Sequence, residues 1–377
     1  MIFFFYEIFE INILQYVTFR AAAAAITALM ISFLLGPKII RTLQNRHIGE
    51  SIRENGPSSH YLKEGTPTMG GIIIILSIIL PTILWSKYNN NLIWTIGIST
   101  LFMGIIGFID DYLKIVKKYS KGLIARYKLV SQIIIGLFIS YMMLNHIDNP
   151  IIFIDSSGDD IKKVISNTST SLPFILNGFL SLPKQIYIIL IILVITATSN
   201  SVNLTDGLDG LATGLSAISL LTFGAIAYAS GRSDFSDYLN ILYIKGADEL
   251  LVFCFAAIGA CLGFLWYNSS PAMIFMGDTG SLALGTAIGT LSILLRKEIL
   301  LIIIGGVFVM ESLSVIIQVI YFKYTKKKFG KGKKFFLMAP IHHHFELKGL
   351  PESRVVVRFW IIGILLALFS LSSFKLQ

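Results

Sequence analysis

The sequence predicts an all-α polytopic membrane protein of about ten transmembrane helices, with its active-site loops on the cytoplasmic side. Three observations predict this. Only 14% of the residues are charged and the mean hydropathy is +0.74, whereas soluble chains average about 25% charged. Apolar runs such as Gly71-Ile72-Ile73-Ile74-Ile75-Leu76 recur along the whole length, so the 377 residues read as one membrane domain, 1–377. The polar residues between the runs form compact islands, among them the stretch from Ser199 to Gly210. In apolar surroundings such groups need a partner that replaces water, either a charged substrate or a metal.

Taken in order, the chain begins with apolar residues that carry Glu7 and Glu10 and no basic residue before Tyr16. This reads as an interfacial segment, since a signal peptide starts with positive charge. A window of roughly 20 residues places spans near 17–36, 70–86, 92–109, 129–145, 185–200, 211–229, 248–266, 281–296, 299–322 and 355–374. Cys254 and Cys261 lie in one run without His or Cys at ligand spacing and read as apolar filler.

The connecting segments alternate between two sides, and 21 of the 31 Lys and Arg residues fall on one of them. They run from Lys38 to Lys63, from Lys114 to Lys128 and from Lys323 to Arg358. The positive-inside rule makes that side cytoplasmic and puts both termini outside the cytoplasm. The net charge of +9 is therefore assigned to anionic membrane lipids and not to nucleic acid. On the other side, the segment 146–184 is rich in Ser, Asn, Asp and Thr, with short alternating stretches that predict a small hairpin.

Every unusual polar motif falls on the basic side. Asp110 and Asp111 close the third span, where the negative end of the helix dipole disfavours them unless a cation is near. Lys114, one turn on, is a candidate cation, and Mg²⁺ a better one, with Lys117, Lys118 and Lys121 suited to phosphate. Asp206 and Asp209 would share a face at the start of the sixth span. Helix capping explains one of them at most, and Asn200 and Asn203 are left without a structural role. Asp278, in Met276-Gly277-Asp278-Thr279-Gly280-Ser281, is either a helix N-cap or, with Asn268 nearby, part of a metal or nucleotide site.

His342, His343 and His344 are consecutive and cannot all face one way, so phosphate binding or loop orientation fits better than a three-ligand zinc site. Glu311, inside the ninth span, reads as a structural hydrogen bond within the bundle, with Gly305 and Gly306 permitting a bend. Lys63-Glu64-Gly65-Thr66-Pro67-Thr68-Met69-Gly70-Gly71 opens the second span as an anion-binding helix N-terminus or as a plain turn.

Together, Gly65-Thr66-Pro67-Thr68-Met69-Gly70-Gly71, Asp110-Asp111-x-x-Lys114, Asn203-Leu204-Thr205-Asp206-Gly207-Leu208-Asp209-Gly210, Met276-Gly277-Asp278-Thr279-Gly280-Ser281 and Pro340-Ile341-His342-His343-His344-Phe345-Glu346 resemble the motifs of the phospho-N-acetylmuramoyl-pentapeptide transferases. The His run is similar to that branch more than to the related N-acetylglucosamine-phosphate transferases. The basic segment Lys326 to Lys334 matches no motif.

The resemblance implies a ten-helix fold, a cytoplasmic-face active site and a homodimer. It implies transfer of the phospho-sugar of UDP-MurNAc-pentapeptide to undecaprenyl phosphate, with Mg²⁺ required and UMP released. It also implies that Asp278, with help from Asp111, holds Mg²⁺ and that Asp110 interacts with or deprotonates the lipid phosphate. Lys63, Lys114, Asn203, Asp206 and Asp209 would line the nucleotide site, with Thr68, Asn200 and Asn268 as further substrate contacts. His342, His343 and His344 would complete the site near the diphosphate, His343 among the catalytic residues. Two rivals remain, a sibling UDP-N-acetylglucosamine transferase and a transporter or flippase. Transporters carry their ionisable groups near the midplane, whereas here those groups gather at one face.

Overall fold

A computed structural model describes residues 12–46, 65–117, 119, 122–156, 159–175 and 178–376. All ten expected spans are helices. They are α1 (Val17–Asn45), α2 (Gly71–Trp85), α3 (Asn91–Ile115), α4 (Ala125–Asn145), α5 (Lys184–Thr205) and α6 (Leu211–Ser230). After a short α7 (Ser233–Tyr238) come α8 (Leu250–Asn268), α9 (Gly277–Leu294), a single turn α10 (Leu301–Ile304), α11 (Gly306–Phe329), a short α12 (Ile341–Leu347) and α13 (Glu352–Ser372). Among the described residues, eight helices are long and apolar enough to cross a membrane, the architecture of an all-α polytopic membrane protein.

The two expected spans outside that set are α2 and α9. The first has 15 residues, roughly 22 Å of helix at 1.5 Å per residue. The second is rich in Gly, Ser and Thr, and its position explains why. Every residue from Thr279 to Leu294 is buried, because α2, α3, α5 and α6 all pack around it. Small residues let these backbones approach where lipid supplies no hydrophobic drive between helices. A Cβ on Gly71 would lie 2.0 Å from the Gly280 nitrogen, and one on Gly107 would lie 2.2 Å from the Asp278 carbonyl oxygen. The outer helices instead expose aliphatic side chains, among them Ile316 and Ile320 on α11 and Leu365 and Leu368 on α13.

Several boundaries differ from the sequence reading. The third span extends to Ile115, so Asp110 and Asp111 lie inside a helix and do not close it. The fifth reaches Thr205, so Asn200 and Asn203 are helical and not in a loop. Asp206 follows that helix, and Asp209 precedes the Gly210 that opens α6, so the two do not share a helix face. The ninth span breaks at Gly305, as the glycine pair suggested, and α11 runs on to Phe329. The segment 146–184 forms two antiparallel pairs, β1 (Ile151–Ser156) with β2 (Asp159–Val164) and β3 (Ser169–Ser171) with β4 (Phe179–Ser181).

Buried charged residues fix the end of the bundle opposite the start of α9. Arg20 donates to both oxygens of Glu249, at 2.6 and 2.5 Å, tying α1 to the turn that leads into α8. Glu298, just past α9, accepts from Thr170 at 2.5 Å and Tyr187 at 2.9 Å, fastening β3 and α5. Cys254 and Cys261 are buried and free, as apolar filler would be.

Candidate active site

Three carboxylates converge where α3 meets the first turn of α9. Asp110, Asp111 and Asp278 each bring an oxygen within 4.8 Å of the others. The glycine contacts just described cause this: Gly107, one turn before Asp111, is seated on the backbone of Asp278 and Thr279. Gly277 has φ +72, and a Cβ there would lie 2.6 Å from Asp111 Oδ2, so only glycine serves at that turn.

Each carboxylate has a distinct task. Asp111 accepts from the backbone N–H of Asp278 at 3.1 Å and from the N–H and hydroxyl of Thr279 at 2.9 and 2.6 Å. It caps the start of α9, where a negative charge suits the helix dipole. Asp278 itself lies in the first turn of α9, with Met276 at the N-cap position, so the N-cap reading of Asp278 is not met. Its Oδ1 accepts from Asn203 Nδ2 at 2.8 Å.

Asp110 is fully buried and accepts from the Leu123 N–H at 2.6 Å. Lys114 donates to Asp110 and, at 3.1 Å, to Asp278. Lys128 donates to Asp110 at 2.9 Å and also to Asp278. Three carboxylates thus face two ammonium groups, leaving one formal negative charge. Lys114 was legible in the sequence as the cation one turn beyond Asp110. Lys128 was not, because one lysine in a basic loop carries no signal of its own.

The other expected site residues take different places. Asn203 joins the centre, donating to Ser281 Oγ at 2.8 Å as well as to Asp278. Asp209, Asn268 and Asn200 hold neighbouring elements. Asp209 Oδ2 accepts from Ala272 N–H at 3.0 Å and its own N–H donates to Glu352 at 2.7 Å. Asn268 Oδ1 accepts from Gly210 N–H and Thr213 Oγ1, both at 3.1 Å, and Asn200 donates to Gln132 Oε1 at 3.2 Å. Thr68 is buried beside Gly277. The N–H groups of Gly70 and Gly71 donate to Phe275 and Met276 carbonyls at 2.9 and 2.8 Å, so they bind the Phe275–Met276 turn instead of an anion. Lys63 lies outside the described residues.

The histidines point three ways, as consecutive residues must. His342 is fully buried, with Nδ1 3.1 Å from Glu311 Oε2. Glu311 therefore pairs with the His segment, a partner the sequence reading did not name. His343 Nδ1 is 2.8 Å from Glu346, and His344 Nδ1 accepts the Leu337 N–H at 3.1 Å. Burial, and then the charge of Lys348, push the His344 pKa down, in keeping with a ring nitrogen that accepts.

The chain's likeness to known proteins is consistent with this geometry. The family model for glycosyl transferase family 4 matches residues 93–296, and the phospho-N-acetylmuramoyl-pentapeptide-transferase signature 1 matches residues 63–75. A phospho-N-acetylmuramoyl-pentapeptide-transferase of Chlorobium luteolum is 48% identical over 372 residues, covering 97% of this chain and 95% of the relative. The chain belongs to the phospho-N-acetylmuramoyl-pentapeptide transferase family. Relatives of the same name from Gemmatimonas aurantiaca and Thermodesulfovibrio yellowstonii are each 47% identical, covering 97% of this chain and 96% of theirs. The match to glycosyl transferase family 4 takes in Asp110, Asp111, Lys114, Lys128, Asn203 and Asp278, and the family's signature spans Lys63 and Thr68.

Proposed function

We propose that the Asp110–Asp111–Asp278 centre transfers phospho-N-acetylmuramoyl-pentapeptide from its UDP-linked donor to undecaprenyl phosphate, releasing UMP and forming lipid I for peptidoglycan synthesis. The carrying observation is the meeting of three carboxylates and two lysines from distant parts of the chain, in a chain similar over nearly its whole length to transferases of that name. In this reading a phosphate oxygen of the acceptor forms a bond to the phosphorus that bears the sugar, and the bond from that phosphorus to UMP breaks. The nucleophile is already an anion, so the protein's work is positioning and charge neutralisation.

The donor set suits Mg²⁺: three carboxylates supply hard oxygens at a single locus. Asp278 and Asp111 would hold it, Asp111 by sharing oxygens that already accept from the start of α9. When bound, Mg²⁺ supplies neutralisation of the diphosphate charge. Lys114 and Lys128, released from Asp278, are placed to hold phosphate oxygens, and Asp110 keeps both ammonium groups at hand. Asn203, on the last turn of α5, orients Asp278.

An apolar cleft of about 320 Å³ lined by Gly306, Val309, Met310, Leu313, Ile317 and Phe336 reaches Ile341, next to His342. It fits part of a polyprenyl chain arriving from the bilayer. We place the centre at the cytoplasmic face of the bacterial inner membrane, on the basic side of the chain, in a homodimer.

The test is UMP release by the purified, reconstituted protein given polyprenyl phosphate, Mg²⁺ and one of two donors. Release from UDP-MurNAc-pentapeptide and not from UDP-N-acetylglucosamine is expected. The opposite preference would assign the chain to the sibling reaction. Solute movement without UMP release would make it a transporter.

A further inference from the structure

Glu311 is on α11 and His342 opens α12, yet their side chains meet at 3.1 Å with neither exposed to solvent. Two polar atoms of this pair, Glu311 Oε1 and His342 Nε2, are buried and have no hydrogen-bond partner among the described residues. Such atoms are uncommon in folded proteins, and a missing ligand is one of the few physical explanations for them. Nε2 faces the connection between α5 and α6, where a Cβ on Gly207 would lie only 2.3 Å from it. That connection follows directly on Asn203, which donates to Asp278. The His343 ring packs on the His342 ring with centroids 4.1 Å apart.

Resting on the transferase reading above, we propose that Glu311 is a positioning residue of the active site. It fixes the His342 imidazole through Nδ1, so that Nε2 makes its missing hydrogen bond to an acceptor oxygen of the bound donor. Which ring nitrogen is free for a ligand is set by the bond the other one makes, and carboxylates serve this purpose behind functional histidines. With Nδ1–H directed at Glu311, a flip of the ring would set a carbon against the carboxylate and lose that bond. Once an anionic oxygen lies on the Nε2 side, the ring takes up one proton from water and donates from both nitrogens, bridging Glu311 and the donor. The close fit at Gly207 means that the Asp206–Gly210 connection yields as the oxygen enters, coupling occupancy of the nucleotide site to this ring.

The experiment compares wild type with Glu311→Leu, Glu311→Gln, His342→Gln and the Glu311→Leu/His342→Gln double variant, all full-length and reconstituted. Readouts are kcat, KM for donor and acceptor, and melting temperature. Glu311→Leu is expected to lower kcat about 10- to 100-fold, the usual cost of losing a carboxylate behind a functional histidine, with KM for the lipid acceptor unchanged. Glu311→Gln, which keeps an acceptor oxygen at Nδ1, recovers most of the rate, and the double variant is no slower than His342→Gln alone. A lower melting temperature with wild-type kcat, or additive losses in the double variant, would reduce Glu311 to a structural pin between α11 and α12 and overturn the proposal.

Should Glu311→Leu fail to fold, ¹⁵N-histidine spectra of the wild type decide. A His342 Nε2 signal, assigned by its loss in His342→Gln, that moves when the UDP-sugar donor is added supports the proposal, and one that stays put refutes it. Wild-type protein that releases no UMP would point to failure of the transferase reading instead.

Discussion

At the residue scale, the centre is a balance of charges. Asp110 is fully buried, and its burial is offset by Lys114 and Lys128, which both donate to it. Lys128→Met should therefore lower kcat about 100-fold or more, in the range found when one preorganised charge-stabilising donor is lost. Steady-state UMP release measures it, and a variant within a few-fold of wild type would remove Lys128 from the centre. The motif residues were legible because carboxylates and amides stand out in an apolar chain. Lys128 and Glu311 were not. The first is one lysine among many in a basic segment, and the partner of the second lies 31 positions away, a pairing that only tertiary structure creates.

At the scale of the element, helix existence was legible and helix length was not. The hydropathy window ends a span where polar residues begin, but α3 and α5 continue for another turn because their polar residues face protein partners instead of lipid. Asp110 and Asp111 face the start of α9, and Asn203 faces Asp278. The same logic singles out α9, whose small residues hold the site together. Gly107→Ala should destabilise the protein by about 1–3 kcal/mol, the usual cost of overpacking, and depress activity by pushing Asp278 away from Asp111. Gly97→Ala, on the same helix with nothing within 4 Å of a new Cβ among the described residues, should be neutral or stabilising by up to about 1 kcal/mol. Melting temperature and UMP release on both variants check this, and equal effects would contradict it.

Past the far end of α9, burial pushes Lys297 down to about 8. Below that value the lysine is charged in both states and folding bears its desolvation. Between about 8 and the ordinary 10.5 the unfolded chain binds a proton that the folded one does not, so stability rises with pH across that window. Lys297→Met should raise the melting temperature at neutral pH and flatten the rise above pH 8. A wild-type curve that is already flat there would contradict the assignment.

For the whole molecule, the bundle brings polar segments from distant parts of the chain to the start of one buried helix. A transporter would set its ionisable groups between broken helices at mid-depth. Here α9 begins with them, and the rest of that helix is apolar or small. Composition and loop charge made the membrane class and the clustering of motifs legible. They could not reveal the contacts within the protein by which Asp209 and Asn268 hold loops in place, because substrate binding and loop bracing draw on the same residue types.

The central claim is that the Asp110–Asp111–Asp278 centre carries out the transfer, and Asp278→Asn tests it most directly. The measurement is single-turnover UMP release from the UDP-linked donor, with undecaprenyl phosphate and saturating Mg²⁺, alongside the melting temperature of each protein. The wild type should release one UMP per lipid-linked product and the variant none above background, at an unchanged melting temperature. Release by Asp278→Asn at the wild-type rate would contradict it.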